Sequence, residues 1–373
     1  MIVIYGLIVL CVIVFIHELG HFCVAKLCGV RVESFSVGMG PVLLHKNWRG
    51  TDWRLSLIPL GGYCAMKGEQ DFIKAAEEGL DHIEADKDSM FGVRPILRAC
   101  IGFAGPFANL FFAFIAYTVV ALVGYAYYSA NNQILLANEV YPEMTSAAAE
   151  AGLLSGDRIV QINEQEIENF SDIFGFVALH PDEDLRVTVE RNGQKLDFTV
   201  HTQMADNGSG KIGVVSLPET VQRYEAKRYG FFPAIWQGLK ETGSNIVLTI
   251  KGVSLLFKGA KVTESVSGPA RITTMLGSTV KEGFSAGFRT GLSSLLQFMA
   301  IISISLFIMN LLPVPILDGG LILFSLIEAI FGISISPKWR IRVQYIGLAF
   351  IAFLFIVAMA GDIYYFIGLF HEK

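Results

Sequence analysis

His17-Glu18-Leu19-Gly20-His21 is the densest group of chemically capable side chains in the sequence. On an α-helix, residues four apart share a face, so both imidazoles can reach one ion. Glu18, turned about 100° from His17, stands beside that ion without having to ligate it. From there it can take a proton from a bound water, the division of labour of metal-assisted peptide hydrolysis. The setting sharpens this reading. The group lies in an apolar run, Ile2 to Leu27, where each ionisable side chain costs on the order of 2.5–3.5 kcal/mol on membrane-insertion scales. Three within five residues call for a compensating partner, and Zn2+ is the ion that suits two imidazoles. The plainer alternative is a set of polar residues that bond helices together.

A catalytic zinc takes three protein ligands and keeps one position open. The third is offered by Asn310-Leu-Leu-Pro313-Val-Pro315-Ile-Leu-Asp318-Gly319-Gly320. Two prolines stop the preceding helix, and Asp318 can then project from irregular backbone. Such backbone is tolerated at membrane depth only inside protein or beside a wet cavity. A competing role for Asp318 is to N-cap the helix that starts near Gly320. The other histidines, His45, His82, His180, His201 and His371, lie in polar or terminal contexts and are expected at the solvated surface.

These residues need helices to hold them. Of 373 residues 53% are hydrophobic and 17% charged, well below the roughly 25% charged residues of soluble domains. Four runs are long enough to cross a bilayer, near Ile2 to Leu27, Ile96 to Tyr127, Leu292 to Leu312 and Gln344 to Phe366, since a span takes about 20 apolar residues. The first lacks the basic start and small-residue cleavage site of a signal peptide and reads as a retained helix. Ten Lys and Arg fall between Lys26 and Arg98, and Lys338, Arg340 and Arg342 precede the last span. Both connections are therefore expected on the cytoplasmic side, with the central polar stretch and both termini opposite. All five cysteines, Cys11, Cys23, Cys28, Cys64 and Cys100, belong to the first two spans and their connection, so no disulfide framework is expected. A net charge of −5 with no basic cluster speaks against nucleic acid as a partner.

Between the first two spans, Val30 to Met66 alternates apolar runs with turn signals, which predicts β-hairpins at the membrane surface. Glu69 to Ser89 reads as a charged, mobile excursion. The central stretch predicts a strand over Ile134 to Val140, a helix over Ala147 to Ala151, and a strand over Arg158 to Ile162. A helix near Ser171 to Leu179 should follow, then strands Leu185 to Glu190 and Leu196 to Val200 joined by the turn Arg191-Asn192-Gly193. The run from Ser146 to Asn163 resembles the PDZ fold, whose members bind peptides as an added strand. Gly230 to Lys258 reads as an amphipathic helix, lying either on the membrane or against that unit.

Taken together the motifs resemble those of the site-2 proteases, in the bacterial branch that cleaves membrane-bound anti-sigma factors in envelope-stress signalling. They comprise the His-Glu-x-x-His group, Phe35 to Pro41, Pro59-Leu-Gly-Gly-Tyr63, Gly105-Pro-x-x-Asn109, Ser267-Gly-Pro269 and the Asn310 to Gly320 segment. The resemblance implies a polytopic α-helical membrane protein of about four spans, with a membrane-associated β-hairpin region and one inserted α+β PDZ domain. Its parts would be 1–130 and 289–373 as the membrane core, 131–204 as the PDZ domain and 205–288 as a linker with an amphipathic segment. It implies Zn2+ held by His17, His21 and Asp318, with Glu18 as general base. Asn310, Gly61, Gly62 and Tyr63 would position substrate; for Asn109 packing competes with that role. Implied substrates are single-span membrane proteins of the anti-sigma-factor kind, trimmed beforehand by another protease, and remnant signal peptides, cut in a bacterial inner membrane with the PDZ domain in the periplasm. Two features depart from the pattern. Leu321 stands where many members carry His, and there is one PDZ copy where the enterobacterial type has two. A metal-carrying transporter and a non-catalytic PDZ scaffold are the readings from other classes.

Overall fold

The computed structural model describes residues 2–205, 208–257 and 268–371. Lys258, which closes one expected segment, and Ser267, which opens another, lie outside them. Residue contacts divide the chain into a largely helical unit, residues 1–123, 229–246 and 268–373, and a mixed unit, residues 124–228 and 247–267.

In the helical unit, apolar residues without an internal proline form α1 (Ile2–Leu27). The chain leaves α1 through Gly29, at a φ of 81°, and enters a single hairpin, β1 (Val32–Trp48) and β2 (Thr51–Met66). Arg49 and Gly50 turn it, both at positive φ, as a two-residue hairpin turn requires. Several hairpins are expected from the turn signals; Gly38, Gly40 and Gly61 take positive φ at register shifts inside two long strands, so one hairpin bends back there without being divided into separate ones. The hairpin curls back on itself. Residues 34–37 pair with 62–65 and also with 52–55, while 44–48 pair with 51–55.

Helix α2 (Asp71–Glu77) follows. The excursion around it is tied down at its base, where Lys67 bridges Asp86 at 2.8 Å and Asp88 at 2.6 Å. Next come α3 (Pro95–Val123), with proline at its first position, and α4 (Phe231–Phe257). Within the helical unit α4 buries Ala234 and Thr242 and sets Gly238 against Thr118 of α3. On its apolar side Phe231, Phe232, Trp236 and Leu239 are exposed, as a helix lying on a membrane surface would leave them. Helices α5 (Pro269–Ser285), α6 (Phe288–Asn310), α7 (Asp318–Phe331) and α8 (Pro337–His371) complete the unit. Four helices, α1, α3, α6 and α8, are long and apolar enough to cross a membrane, in agreement with the four expected spans. Helix α3 packs against α1, α6 and α7.

The mixed unit has a four-stranded antiparallel sheet in the order β6 (Gln165–Glu166), β5 (Arg158–Ile162), β7 (Asp184–Arg191), β8 (Gln194–His201). Its core holds Ile159, Ile162, Leu185, Val187 and Val189 under the helix Phe170–Val177. Asn169 and Asp172 close that helix with a capping box. Outside the sheet, β3 (Ala126–Ser129) pairs with β12 (Gln222–Glu225), β4 (Ile134–Leu136) with β11 (Val214–Ser216), and β9 (Gln203–Met204) with β10 (Gly210–Lys211). The unit therefore extends past both ends of the expected 131–204. Strands of two to four residues are too short to show alternation, and their partners lie about 80–100 residues away in sequence for β4 and β3. The expected strand over Ile134 to Val140 stops at Leu136, where one helical turn begins.

Candidate metal centre and active site

Three side chains converge near the middle of the helical unit. His17 Nε2 lies 3.2 Å from His21 Nε2 and 3.1 Å from Asp318 Oδ2, and His21 Nε2 lies 3.4 Å from Asp318 Oδ1. One ligand atom from each falls within 4.8 Å of the others, a grouping able to hold a metal ion. Atoms about 2.0–2.1 Å from a tetrahedral zinc lie roughly 3.3–3.4 Å apart, so the spacing fits.

The outer partners fit as well. His21 Nδ1 donates to the Ile101 carbonyl at 2.8 Å, which fixes its proton there and turns the Nε2 lone pair inward. His17 Nδ1 lies 3.1 Å from the Asn109 amide nitrogen, while Asn109 Oδ1 is buried with no partner. With the amide oriented so that Oδ1 faces the imidazole, Oδ1 accepts the His17 Nδ1 proton and both groups are satisfied. Two inward lone pairs and a carboxylate then face one another. Asp318 Oδ2 is itself buried with no hydrogen-bond donor. Three acceptors so placed require a shared cation.

Small residues make room for this centre. A Cβ on Gly105 would lie 2.2 Å from His21 Nε2, and one on Gly20 would lie 2.3 Å from the Ala104 carbonyl oxygen, so α1 and α3 meet only because both are glycine. Gly102, one turn earlier, faces Leu321, Ile322 and the Asp318 carbonyl of α7 in the same way. Leu321 thus packs on α3 and lines the cavity. Asp318 is the first residue of α7, whose N-cap is Leu317 with no side-chain cap bond. Its carboxylate goes to the histidines and does not cap the helix.

A cavity of about 540 Å3 opens on the three residues and is also lined by Glu18, Tyr63 and Asn310. Among the expected substrate contacts, Tyr63 and Asn310 therefore face it. Gly61 and Gly62 do not line it: Gly61 sits at a φ of 95°, and a Cβ on Gly62 would come 2.5 Å from the Ser36 carbonyl oxygen and 3.9 Å from Glu18 Cγ. Gly62 thus lets β2 lie close against Ser36 of β1, and Gly61 supplies the positive φ beside it. Asn109 departs from the expected substrate contact, because it is fully buried behind His17.

A sequence profile of peptidase family M50 matches residues 5–354. The chain belongs to peptidase family M50. A protein of Treponema pallidum (strain Nichols) is 35% identical over 442 residues, covering 97% of this chain and 98% of its own. One from Agrobacterium fabrum is 33% identical over 97% of this chain and 95% of its own. A third, from Helicobacter pylori (strain J99), is 33% identical over 96% and 98%. The first and third are named "Putative zinc metalloprotease" and the second "Putative zinc metalloprotease Atu1380". This M50 chain is a membrane-associated zinc metalloendopeptidase of the site-2 protease type.

One buried acid of the M50 chain falls outside the motif set. Asp362, on α8, accepts from the backbone N–H groups of Gly268 at 2.8 Å, Ala270 at 3.0 Å and Arg271 at 3.1 Å, and so caps α5 from another helix. A Cβ on Gly268 would lie 2.5 Å from Asp362 Oδ2, which accounts for the glycine of the Ser267-Gly-Pro269 motif. An acid inside an apolar span is the signal that could have found it.

Proposed function

We propose that this M50 chain hydrolyses peptide bonds in the membrane-spanning segments of other proteins, with His17, His21 and Asp318 as zinc ligands and Glu18 as general base. The observation that carries the reading is the meeting of three metal-binding side chains, two of them on a helix long and apolar enough to lie within a bilayer. Bound zinc supplies a water acidic enough to lose its proton near neutral pH and a positive charge against the scissile carbonyl oxygen. Glu18 takes that proton as the water attacks and returns it to the leaving amine nitrogen. The buried Asn109 and the Ile101 carbonyl keep both imidazoles in the tautomer that points Nε2 inward.

A helical substrate keeps its carbonyls in internal hydrogen bonds, so it must be drawn out before cleavage. The segment 62–66 pairs with β1 along one edge, and Tyr63, Cys64, Ala65 and Met66 line the cavity. An extended substrate adds as a strand to the opposite edge, the one not paired with β1, with Asn310 and Tyr63 beside it. In the mixed unit a second groove of about 400 Å3 runs between the helix Phe170–Val177 and the segment from Ile212 to Val215, the place where a PDZ domain takes a peptide. We read this unit as a PDZ domain that selects which proteins reach the membrane core. The basic connections, Lys26 to Arg98 and Lys338 to Arg342, support a position for it opposite the cytoplasm of a bacterial inner membrane, and on this reading the substrates are single-span proteins of the anti-sigma-factor kind.

The deciding experiment compares zinc content and cleavage of a single-span model substrate by wild type and Glu18→Gln. Retained zinc with cleavage lowered by roughly 10²–10⁴-fold supports the general base. Undiminished cleavage by Glu18→Gln would remove the mechanism and favour a transporter or scaffold.

A further inference from the structure

Away from the metal, the helical unit buries a second ionic cluster. Arg98 at the start of α3, Glu328 near the end of α7 and Arg340 at the start of α8 are only 6%, 5% and 4% exposed. Glu328 Oε2 accepts from Arg98 Nη2 at 2.7 Å, and Oε1 accepts from Arg340 Nη2 at 2.6 Å and from the Ile335 N–H at 3.1 Å. One carboxylate thus serves two guanidinium groups, and among the described residues one positive charge is left without a counter-ion. The Phe91 ring lies 5.1 Å from the Arg98 guanidinium and 5.0 Å from that of Arg340, which eases burial without neutralising it. Nε of each arginine is buried with no hydrogen-bond partner. A buried charge with no counter-ion is strongly unfavourable, so the cluster is built to receive an anion.

Arg340 lines the same cavity as His17, Glu18 and Asp318, and so does Gln344, which follows it by one helical turn on the same face of α8. Among the described residues none of the acids lining that cavity forms an ion pair with Arg340. Glu18 and Asp318 belong to the metal centre, and Glu69 accepts from the Met66 N–H. Among the described residues the only ion-pair partner of Arg340 is Glu328. Among the described residues no further acid pairs with the cluster, and what enters this cavity, on the reading above, is substrate, which can bring the balancing negative charge.

We propose that Arg340 and Gln344, backed by Arg98 and Glu328, form a carboxylate-binding subsite that selects substrates with an Asp or Glu side chain close to the scissile bond. The guanidinium offers the planar donors that a carboxylate prefers, and Gln344 adds an amide donor. This subsite rests on the protease reading and adds a specificity to it.

The test measures kcat/KM of the full-length zinc enzyme, in phosphatidylcholine vesicles, on single-span substrates with Asp or Asn scanned through the residues flanking the cleaved bond. Wild type is expected to favour Asp over Asn by about tenfold at one or two positions, the effect of about 1.4 kcal/mol, and by nothing elsewhere. In Arg340→Gln that ratio falls to about one. Gln344→Glu supplies an internal counter-ion while keeping both bridges to Glu328, and lowers the ratio likewise, so it decides the matter should Arg340→Gln fail to fold. A flat ratio in wild type at every position, or a preference that survives both substitutions, overturns the subsite while Asn substrates still report proteolysis. A preference abolished by added phosphatidylglycerol assigns the site to a lipid headgroup and also overturns it. If zinc-loaded wild type cuts neither series, the protease reading itself fails and the subsite falls with it.

Discussion

The two units of this M50 chain use polar residues in opposite ways. In the mixed unit the interior is built of Ile, Val and Leu, and most charged groups sit at the surface where water serves them. In the helical unit the buried ionisable residues are few, and each is met by a named partner: His21 by Ile101, His17 by Asn109, Glu328 by two arginines, Asp362 by three backbone N–H groups. Where the surroundings are apolar a polar side chain cannot fall back on solvent. Its presence therefore carries information about a partner that a surface residue does not.

The largest effect expected from this contrast is at Asp318. Removing its carboxylate by Asp318→Ala leaves two imidazoles, so zinc content should fall to the level of the apo protein and cleavage to background. Metal analysis of purified protein beside a cleavage assay checks both. Retained zinc would mean that another group completes the centre. Gly105→Ala tests the same site through sterics alone. Its Cβ would stand 2.2 Å from His21 Nε2, and displacing a ligand by about 1 Å should lower kcat/KM by on the order of 100-fold. A tolerated Gly105→Ala would show that α1 and α3 can separate, against the close approach described here.

This difference between the units also decides what could be read from sequence. His17, Glu18, His21 and Asp318 stand out because charge in an apolar run is costly, and the four spans stand out by length. The same logic reaches Asp362, Arg98 and Glu328, but only the structure says which of them meet. Contacts such as Arg98 to Glu328 span 230 residues, and no local pattern encodes them. In the mixed unit, Leu185 to Glu190 and Leu196 to Val200 are legible by alternation and by the Asn192-Gly193 turn, both at positive φ. By contrast β3, β10, β11 and β12 are too short to carry a period, and without them the groove beside Ile212 cannot be drawn. Single or multiple hairpins in 30–66 are likewise indistinguishable by composition, since a glycine can bulge a strand as readily as turn it.

Asp362 offers a sharper version of the contrast, because its role is structural and far from the metal ligands in sequence. Asp362→Ala strands three backbone N–H groups at the start of α5. The expected loss is about 2–3 kcal/mol of stability, read as a lower unfolding midpoint in detergent. Zinc content per folded molecule should remain near wild type. Loss of zinc at full stability would mean that α5 reports to the metal centre.

The smallest effect is expected in the mixed unit, at the one well-buried carboxylate with a side-chain counter-ion among its described residues. Asp157 is 2% exposed, accepts from Arg191 Nε and Nη2 at 2.7 Å each and takes the Leu154 N–H at 2.9 Å. Burial alone would raise its pKa, but these donors outweigh it and hold the carboxyl below its ordinary value of 3.8. A carboxylate with a depressed folded pKa stabilises the fold fully above its unfolded pKa, and that contribution is lost as pH falls below about 3.8 towards the folded value. Asp157→Asn should therefore cost about 1–2 kcal/mol at neutral pH, seen as faster amide exchange in β7 and β8 of the full-length protein. The gap between variant and wild type should narrow as pH is lowered through that window, because protonation removes in wild type what the substitution has already removed. A gap that stays constant down to pH 3 would mean that shape and not charge holds Arg191 against Gly152 and Phe198, and the mixed unit would then owe nothing to buried charge.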